Sequence, residues 1–87
     1  MPKLKCFSID GVKLWFWSND HNPPHFHAKI EGAWEIAVHF QEPTDKMFRV
    51  IWSKKPLSTQ HRKSLEQMTK QHRVELLKEW EKKVKSQ

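Results

Sequence analysis

The chain of 87 residues has 16 Lys and Arg against 10 Asp and Glu, six His, five Trp and one Cys, and its formal net charge is +6. We expect a chain of this length to form a single domain, spanning 1–87, because it is too short for a βα barrel or a doubly wound nucleotide-binding sheet. It has no apolar run of about twenty residues, no signal-peptide pattern and no second cysteine, so we expect a cytoplasmic protein with no membrane span and no disulfide.

The first part of the chain, residues 3–53, has the pattern of short β-strands. Asp10-Gly11 favours a tight hairpin turn, and Glu31-Gly32 marks a second turn. Beyond that second turn, apolar and other residues alternate, so one face is expected to carry Trp34, Ile36, Val38 and Phe40, and the opposite face Glu35, Ala37 and His39. The predicted strands cover 4–9, 12–17, 25–30, 33–40 and 48–52, with a loop at 41–45.

The second part, residues 58–84, has the pattern of helix. Ser58 is a suitable N-cap, and neither Gly nor Pro occurs between it and the last residue. Apolar side chains recur every three or four residues, which fits one long helix or two helices joined near Thr69–His72. The predicted fold is therefore α+β: a small antiparallel sheet of four to five strands, with one or two C-terminal helices packed on it.

The positive charge is confined to one half of the chain. Residues 1–43 contain four Lys and five acidic residues, whereas residues 44–87 contain twelve Lys and Arg and five acidic residues. Such a basic half attracts a polyanion, nucleic acid first, or an acidic protein partner, or it simply keeps the domain in solution. If it binds phosphate, the expected residues are Lys54, Lys55, Arg62 and Lys63. The tryptophans are expected in the core, with a base-stacking role for Trp15 or Trp17 as a secondary hypothesis.

Half of the histidines lie in the predicted loop 18–27, around a diproline. The segment contains Asp20, His21, His25 and His27, with Pro23 and Pro24 between the histidines. Two prolines stiffen the loop and lower the entropy cost of holding side chains in a fixed geometry. We therefore rank a functional site above a purely structural loop.

Three kinds of chemistry fit this loop. Histidine imidazoles exchange protons near neutral pH, so His25 and His27 are candidates for acid and base catalysis, with Asp20 orienting a histidine. Neutral imidazoles also bind transition metals, and a metal site would use His21, His25 and His27. The third interpretation is structural, with the histidines bonded to the backbone. Partial matches to a cupin metal motif and to the histidine-triad motif are judged coincidental, and no metal or cofactor is expected.

The run Ser-Asn-Asp-His-Asn-Pro-Pro-His-Phe-His, from Ser18 to His27, is specific enough to suggest a family. With the short strands and the helix ending Leu-Leu-Lys-Glu-Trp at Trp80, it resembles the small bacterial domain-of-unknown-function family 4160 over nearly the whole chain. The resemblance implies a co-encoded partner, a small antitoxin-like protein of domain-of-unknown-function family 2442, in a two-gene arrangement that looks like a toxin–antitoxin module. It implies no catalytic residues.

We therefore expect the toxin of such a module, acting on RNA as a metal-independent ribonuclease. The candidate catalytic residues are Asp20, His21, His25 and His27. One alternative is a non-enzymatic module that binds protein or nucleic acid together with the co-encoded partner, and a second alternative is a metal-dependent hydrolase.

Overall fold

A computed structural model describes residues 2–85; Met1, Ser86 and Gln87, at the ends of the predicted domain, lie outside the described residues. Four strands form one antiparallel sheet in the order β1-β2-β3-β4, which confirms the predicted α+β fold. The strands are β1 (Lys13–Trp15), β2 (Phe26–Ile30), β3 (Trp34–Val38) and β4 (Phe48–Ser53), and the helices are α1 (Thr44–Met47), α2 (Thr59–Gln71) and α3 (Arg73–Trp80), followed by a π-helical turn, Glu81–Lys85.

The predicted first strand, residues 4–9, is wrong: this segment runs beside β1 without forming a regular ladder. It has isolated bridges only, Lys3 with Trp15 and Ile9 with Val12. Its amide groups instead bond to the last helix, since the N–H groups of Lys5 and Cys6 donate to the two carboxylate oxygens of Glu79 at 2.9 and 2.8 Å. Burial and the neighbouring carboxylate raise the pKa of the Cys6 thiol to about 12.

The hairpin of β2 and β3 has the register that its turn requires. Paired residues lie at equal distances from Gly32, as in Ile30 with Trp34 and Phe26 with Val38. Gly32 has a φ of +76°, a conformation that glycine adopts without strain. The predicted alternation along β3 is confirmed, because the four apolar side chains of its predicted inner face are all buried: Trp34, Ile36, Val38 and Phe40.

Strand β4 is an outer edge of the sheet and is less buried than the other strands. Its side chains Val50 and Ile51 are 66% and 50% exposed. The ladder to β3 is irregular between Glu35 and Ile36, as in a β-bulge, which fits an edge position. Ahead of β4, the short helix α1 occupies part of the segment that was predicted to be a loop.

The helical segment is two helices rather than one. Ser58 caps α2 as predicted, with its hydroxyl accepting a hydrogen bond from the N–H of His61 at 3.1 Å. At His72 the backbone leaves the helical conformation, with φ −115° and ψ 21°, and its N–H is shared between the carbonyls of Met68 and Thr69. This break divides the segment into α2 and α3, which contribute Leu65 and Leu76 to the same buried core as the sheet.

The sheet has a helix-covered face and a second face, which we call the site face. The covered face and the helices share one core of buried apolar side chains, including Phe26, Ile36, Val38, Leu65, Leu76 and Trp80. The site face carries, in one row across the strands, Trp15, His27, Ala37 and Arg49. Among the described residues, no helix is long and apolar enough to cross a lipid bilayer.

Candidate metal and acid–base centre

The loop between β1 and β2 places Asp20 against the site face. A turn brings the N–H of Asp20 to the carbonyl of Trp17 at 3.1 Å. In return, the N–H of Trp17 donates to the Oδ2 atom of Asp20 at 3.2 Å. The carboxylate is therefore held by the backbone of its own turn, and its side chain is only 16% exposed.

His25 is held by the diproline segment that precedes it. Its Nδ1 atom lies 2.8 Å from the carbonyl oxygen of Pro23, which can only accept, so Nδ1 carries the proton. The other ring nitrogen, Nε2, lies 3.4 Å from Oδ2 of Asp20. Ring orientation and tautomer are thus both fixed by the loop, and the peptide bond between Asn22 and Pro23 is cis.

His27 belongs to β2 and is buried on the site face. Its ring stacks on that of Trp15, with centroids 5.4 Å apart and an interplanar angle of 20°. Its Nε2 atom lies 3.3 Å from Oδ2 of Asp20, and its Nδ1 atom faces Oε2 of Glu35 at 3.7 Å without a hydrogen bond. Burial lowers the pKa of His27, against the attraction of Asp20, so the neutral imidazole is favoured.

Two imidazole nitrogens therefore converge on one carboxylate oxygen. Ligand atoms of Asp20, His25 and His27 all lie within 4.8 Å of one another. We call these three residues the Asp–His–His centre. Its members can exchange a proton or share a cation, because the Nε2 atoms of both histidines face the same carboxylate oxygen.

His39 also lies beside this centre, although it was not predicted to be a site residue. Its ring stacks on that of His25, with centroids 4.9 Å apart, and its buried Nδ1 atom makes no hydrogen bond. Burial, with the charges of His25 and Arg49, lowers the pKa of His39. The hairpin register contained the signal, since His25 and His39 are equally distant from Gly32.

Three further residues extend the site and were also missed as site residues. Glu35 links His27 to Trp52, whose indole N–H donates to Oε1 of Glu35 at 3.3 Å. Arg49 is exposed and lies in the same row of the site face as His27. The cross-strand register, extended from β3 to β4, pairs Arg49 with Ala37 and so places Arg49 on the site face. Trp52 pairs with Glu35 on the other side of the bulge, so its position can be worked out only when the bulge is known.

The aromatic residues around the centre divide into packing and exposed groups. Trp15 is buried against His27, as expected for a core residue. Trp17 is 40% exposed, with its ring edge-on to His27 at 6.3 Å between centroids. Trp80, from α3, lies 5.6 Å from the ring of His25. Thus α3 supports the centre from the core side, while Trp17 borders it from solvent.

The structure does not bring His21 into the centre. Its side chain is exposed, and the group of convergent ligand atoms among residues 2–85 contains Asp20 in its place. The loop therefore supplies the carboxylate that precedes His21 in the sequence. This changes the predicted ligand set of His21, His25 and His27.

The predicted phosphate-binding residues lie away from the centre. Lys54 and Lys55 donate their backbone N–H groups to the carbonyl of Ala33, at the turn of the β2–β3 hairpin. That turn is five or six strand residues from the centre, which is roughly 15–20 Å. Arg62 lies on the helix-covered side, 5.5 Å from the ring centroid of Phe48, and Lys63 is exposed on α2. In the described part of the chain, none of the four contacts the centre.

A separate groove lies beside β1 and the N-terminal segment. Its volume is about 480 Å³, and of the residues named above for the site it includes only Trp15. The lining is otherwise formed by Lys3, Leu4, Phe7, Ser8, Val12, Lys13 and Leu14. The groove is therefore distinct from the Asp–His–His centre.

Comparisons with known proteins bear on the family. No curated protein and no solved structure matches the chain. The model of a domain of unknown function, DUF4160, matches residues 11–81. That range contains the entire sheet, the Asp–His–His centre and helices α1 to α3. The motif resemblance is thereby confirmed, and the chain belongs to the DUF4160 family.

Proposed function

We propose that the protein acts on RNA through the Asp–His–His centre, as the toxin of a two-gene toxin–antitoxin module. The observation that carries the chemical part is the convergence of His25 and His27 on Oδ2 of Asp20, at 3.4 and 3.3 Å. The domain places these polar side chains in a low-exposure site, which costs free energy unless they are paired or hold a cation. Such a costly arrangement is typical of functional centres.

The reaction we propose is transesterification at a phosphodiester. Loss of the proton from a ribose 2′-hydroxyl lets its oxygen form a bond to phosphorus, while the bond from phosphorus to the 5′-oxygen breaks. The leaving 5′-oxygen takes up a proton from solvent water, which balances the proton removed from the 2′-hydroxyl, and a 2′,3′-cyclic phosphate remains. The centre would remove the first proton, either by an imidazole acting as base or through a bound cation.

The two histidines differ in their access to a substrate. The side chain of His25 is 13% exposed and that of His27 only 8%. The rings of Trp15 and Trp17 both lie against the ring of His27, one stacked and one edge-on, and cover it from solvent. We therefore assign contact with the substrate to His25 and Asp20, and a positioning role to His27, rather than equal acid and base roles for the two histidines.

Substrate binding would use residues at two distances from the centre. Arg49 and Trp17 border the site face, where a guanidinium can bind phosphate and an indole can stack on a base. Lys54 and Lys55 lie farther away and would hold the backbone of a flanking nucleotide segment. The +7 charge of residues 44–87 supports this polyanionic substrate.

Inducible expression in a bacterial host, with and without the co-encoded neighbour, tests the proposal. We expect growth arrest and RNA degradation that the neighbour relieves. His25→Gln should abolish both effects, whereas the matched variant His21→Gln, two residues from the diproline on its other side, should retain them. Growth arrest with intact RNA, or full activity of a folded His25→Gln variant, would contradict the proposal.

A second candidate function, a non-enzymatic module, is favoured by the uncovered edge strand β4. Val50 and Ile51 are exposed there, and Arg49, Lys54 and Lys55 flank them. An acidic extended segment of the co-encoded partner would pair with this edge by strand addition. Co-purification of the partner with the His25→Gln variant, without RNA degradation by the wild-type protein, would support this function in place of the first.

A further inference from the structure

We infer that Asp20, His25 and His27 bind one divalent transition-metal ion, with Zn²⁺ as the first ion to test. The ion deepens the proposed function by naming what activates the nucleophile at the same centre. Its catalytic use rests on that proposed function, whereas its binding does not. The ligand set differs from the one that the sequence suggested, since Asp20 replaces His21.

The first observation is the crowding of lone pairs. Because Nδ1 of His25 donates to the carbonyl of Pro23, a neutral His25 presents the lone pair of Nε2 to Oδ2 of Asp20, 3.4 Å away. The Nε2 atom of His27 approaches the same oxygen at 3.3 Å, where it donates a hydrogen bond when it carries the ring proton and presents a second lone pair when it does not. A lone pair facing a carboxylate is repulsive unless a proton or a metal ion lies among the three atoms.

The second observation is the orientation of the outer nitrogens. Imidazoles that bind a metal through one nitrogen usually direct the other toward a carbonyl or a carboxylate. His25 directs Nδ1 to the carbonyl of Pro23, and His27 directs Nδ1 toward Glu35, at 3.7 Å. The buried Nδ1 of His27 makes no hydrogen bond. Coordination at Nε2 places the proton of His27 on Nδ1, where the Glu35 carboxylate attracts it.

The third observation is the chemistry of the donor set. Two nitrogens and one carboxylate suit zinc, iron, manganese, cobalt or nickel, whereas calcium and magnesium prefer oxygen ligands throughout. Three protein ligands leave at least one position for water or substrate, as in catalytic zinc sites. An ion held there would lower the pKa of a bound water or hydroxyl group, which is the proton removal that the proposed reaction requires.

The test is metal binding by the whole chain, purified without a histidine tag and stripped with EDTA. Equilibrium dialysis against zinc chloride, followed by elemental analysis, should give one equivalent of zinc per chain. Titration with cobalt chloride should give visible absorption bands from the ligand field of a bound ion. Less than about one fifth of an equivalent of zinc per chain, together with no cobalt bands, would overturn the inference.

Variants locate the ion on the proposed residues. Asp20→Asn and His25→Gln should each weaken zinc binding at least about tenfold, and Glu35→Gln should weaken it less, because Glu35 acts through His27. His21→Gln is the matched control and should bind as the wild type does. Equal losses in His21→Gln and His25→Gln would place the ion elsewhere. Circular dichroism checks the fold of each variant, and the wild-type stoichiometry decides the question if a variant does not fold.

Failure of this inference can be told apart from failure of the proposed function. RNA cleavage that continues in excess chelator, by a protein that retains no zinc, would contradict the metal inference and leave the proposed ribonuclease function intact. Binding of one equivalent of zinc without any cleavage of RNA would support the metal site and contradict the proposed action on RNA.

Discussion

The two ends of the sheet differ in burial and in the residues that they carry. At one end, the ring of His25 contacts those of His39 and Trp80, and the side chains of the centre are only slightly exposed to solvent. At the other end, where the β2–β3 hairpin turns, Lys54 and Lys55 are exposed and no comparable cluster forms among the described residues. The histidines of the centre and the exposed Lys54 and Lys55, though on one small sheet, are therefore too far apart to act on the same phosphate.

The largest effect on stability is expected at the end of the sheet that carries the centre, where Trp80 packs against His25. Trp80 is 1% exposed and contacts the rings of Phe16 and His25. Trp80→Ala should lower the free energy of unfolding by about 3–5 kcal/mol, because it leaves a large cavity in the core. Urea denaturation measures this loss. Trp52→Ala, at a half-buried position near the hairpin turn, is the comparison variant and should lower the free energy of unfolding by less. Equal losses would mean that the end of the sheet with the centre is no better packed than the hairpin end.

A smaller effect is expected where Glu79 holds the N-terminal segment. Glu79→Gln removes the charge that accepts hydrogen bonds from the N–H groups of Lys5 and Cys6 and from Lys83, and should destabilise the fold by about 2 kcal/mol at neutral pH. Burial alone would raise the pKa of Glu79, but these hydrogen bonds outweigh it, so the pKa is lowered.

The lowered pKa gives this prediction a pH dependence. A carboxylate with a depressed pKa in the folded state stabilises the fold above its ordinary pKa of 4.5, and that stabilisation is lost as the pH falls through the folded-state value. The difference in unfolding free energy between the wild type and Glu79→Gln should therefore narrow below pH 4.5. Urea titrations at a series of acid pH values measure it, and a constant difference would contradict the assigned role.

The smallest effect is expected at the end of the sheet where the β2–β3 hairpin turns and where Lys54 and Lys55 are exposed. Replacing Lys54 and Lys55 with Gln should weaken the binding of single-stranded RNA by about fivefold, and should reduce the slope of log affinity against log salt by about 1.4, or 0.7 for each lost phosphate contact. Cleavage of a short substrate that reaches only the centre should be unchanged. Arg49→Gln, on the site face, should instead slow that cleavage. If the lysine variant and Arg49→Gln changed RNA binding and short-substrate cleavage equally, the distance between Lys54, Lys55 and the centre would have no functional effect, which would contradict this prediction.

Local patterns were sufficient for most of the fold. The Asp10-Gly11 turn, the alternation along β3 and the Ser58 cap involve residues close in sequence, and each is present. The segment 4–9 could not be assigned in this way. Its pattern is that of a strand, but its amide groups bond to Glu79, more than seventy residues later. Only the tertiary fold identifies such a partner.

For the centre, the sequence supplied the loop but not the arrangement. Asp20, His25 and His27 were among the predicted residues and are brought together. His21 could not be separated from them by composition, because the direction of its side chain depends on how the turn at Trp17–Asp20 closes. His39 and Arg49 required the strand register across β2, β3 and β4. The sequence shows how many basic residues lie in 44–87, but not at which end or on which face of the sheet each of them lies.

The bond from Lys5 to Glu79 also has a consequence for the order of folding. The N-terminal segment is synthesised first, yet its acceptor lies 74 residues further along the chain. Contacts between residues so distant in sequence close slowly, because the intervening chain loses entropy. The sheet can form while residues 3–9 still lack their carboxylate partner. We therefore expect the segment to dock late in folding, after the sheet has formed.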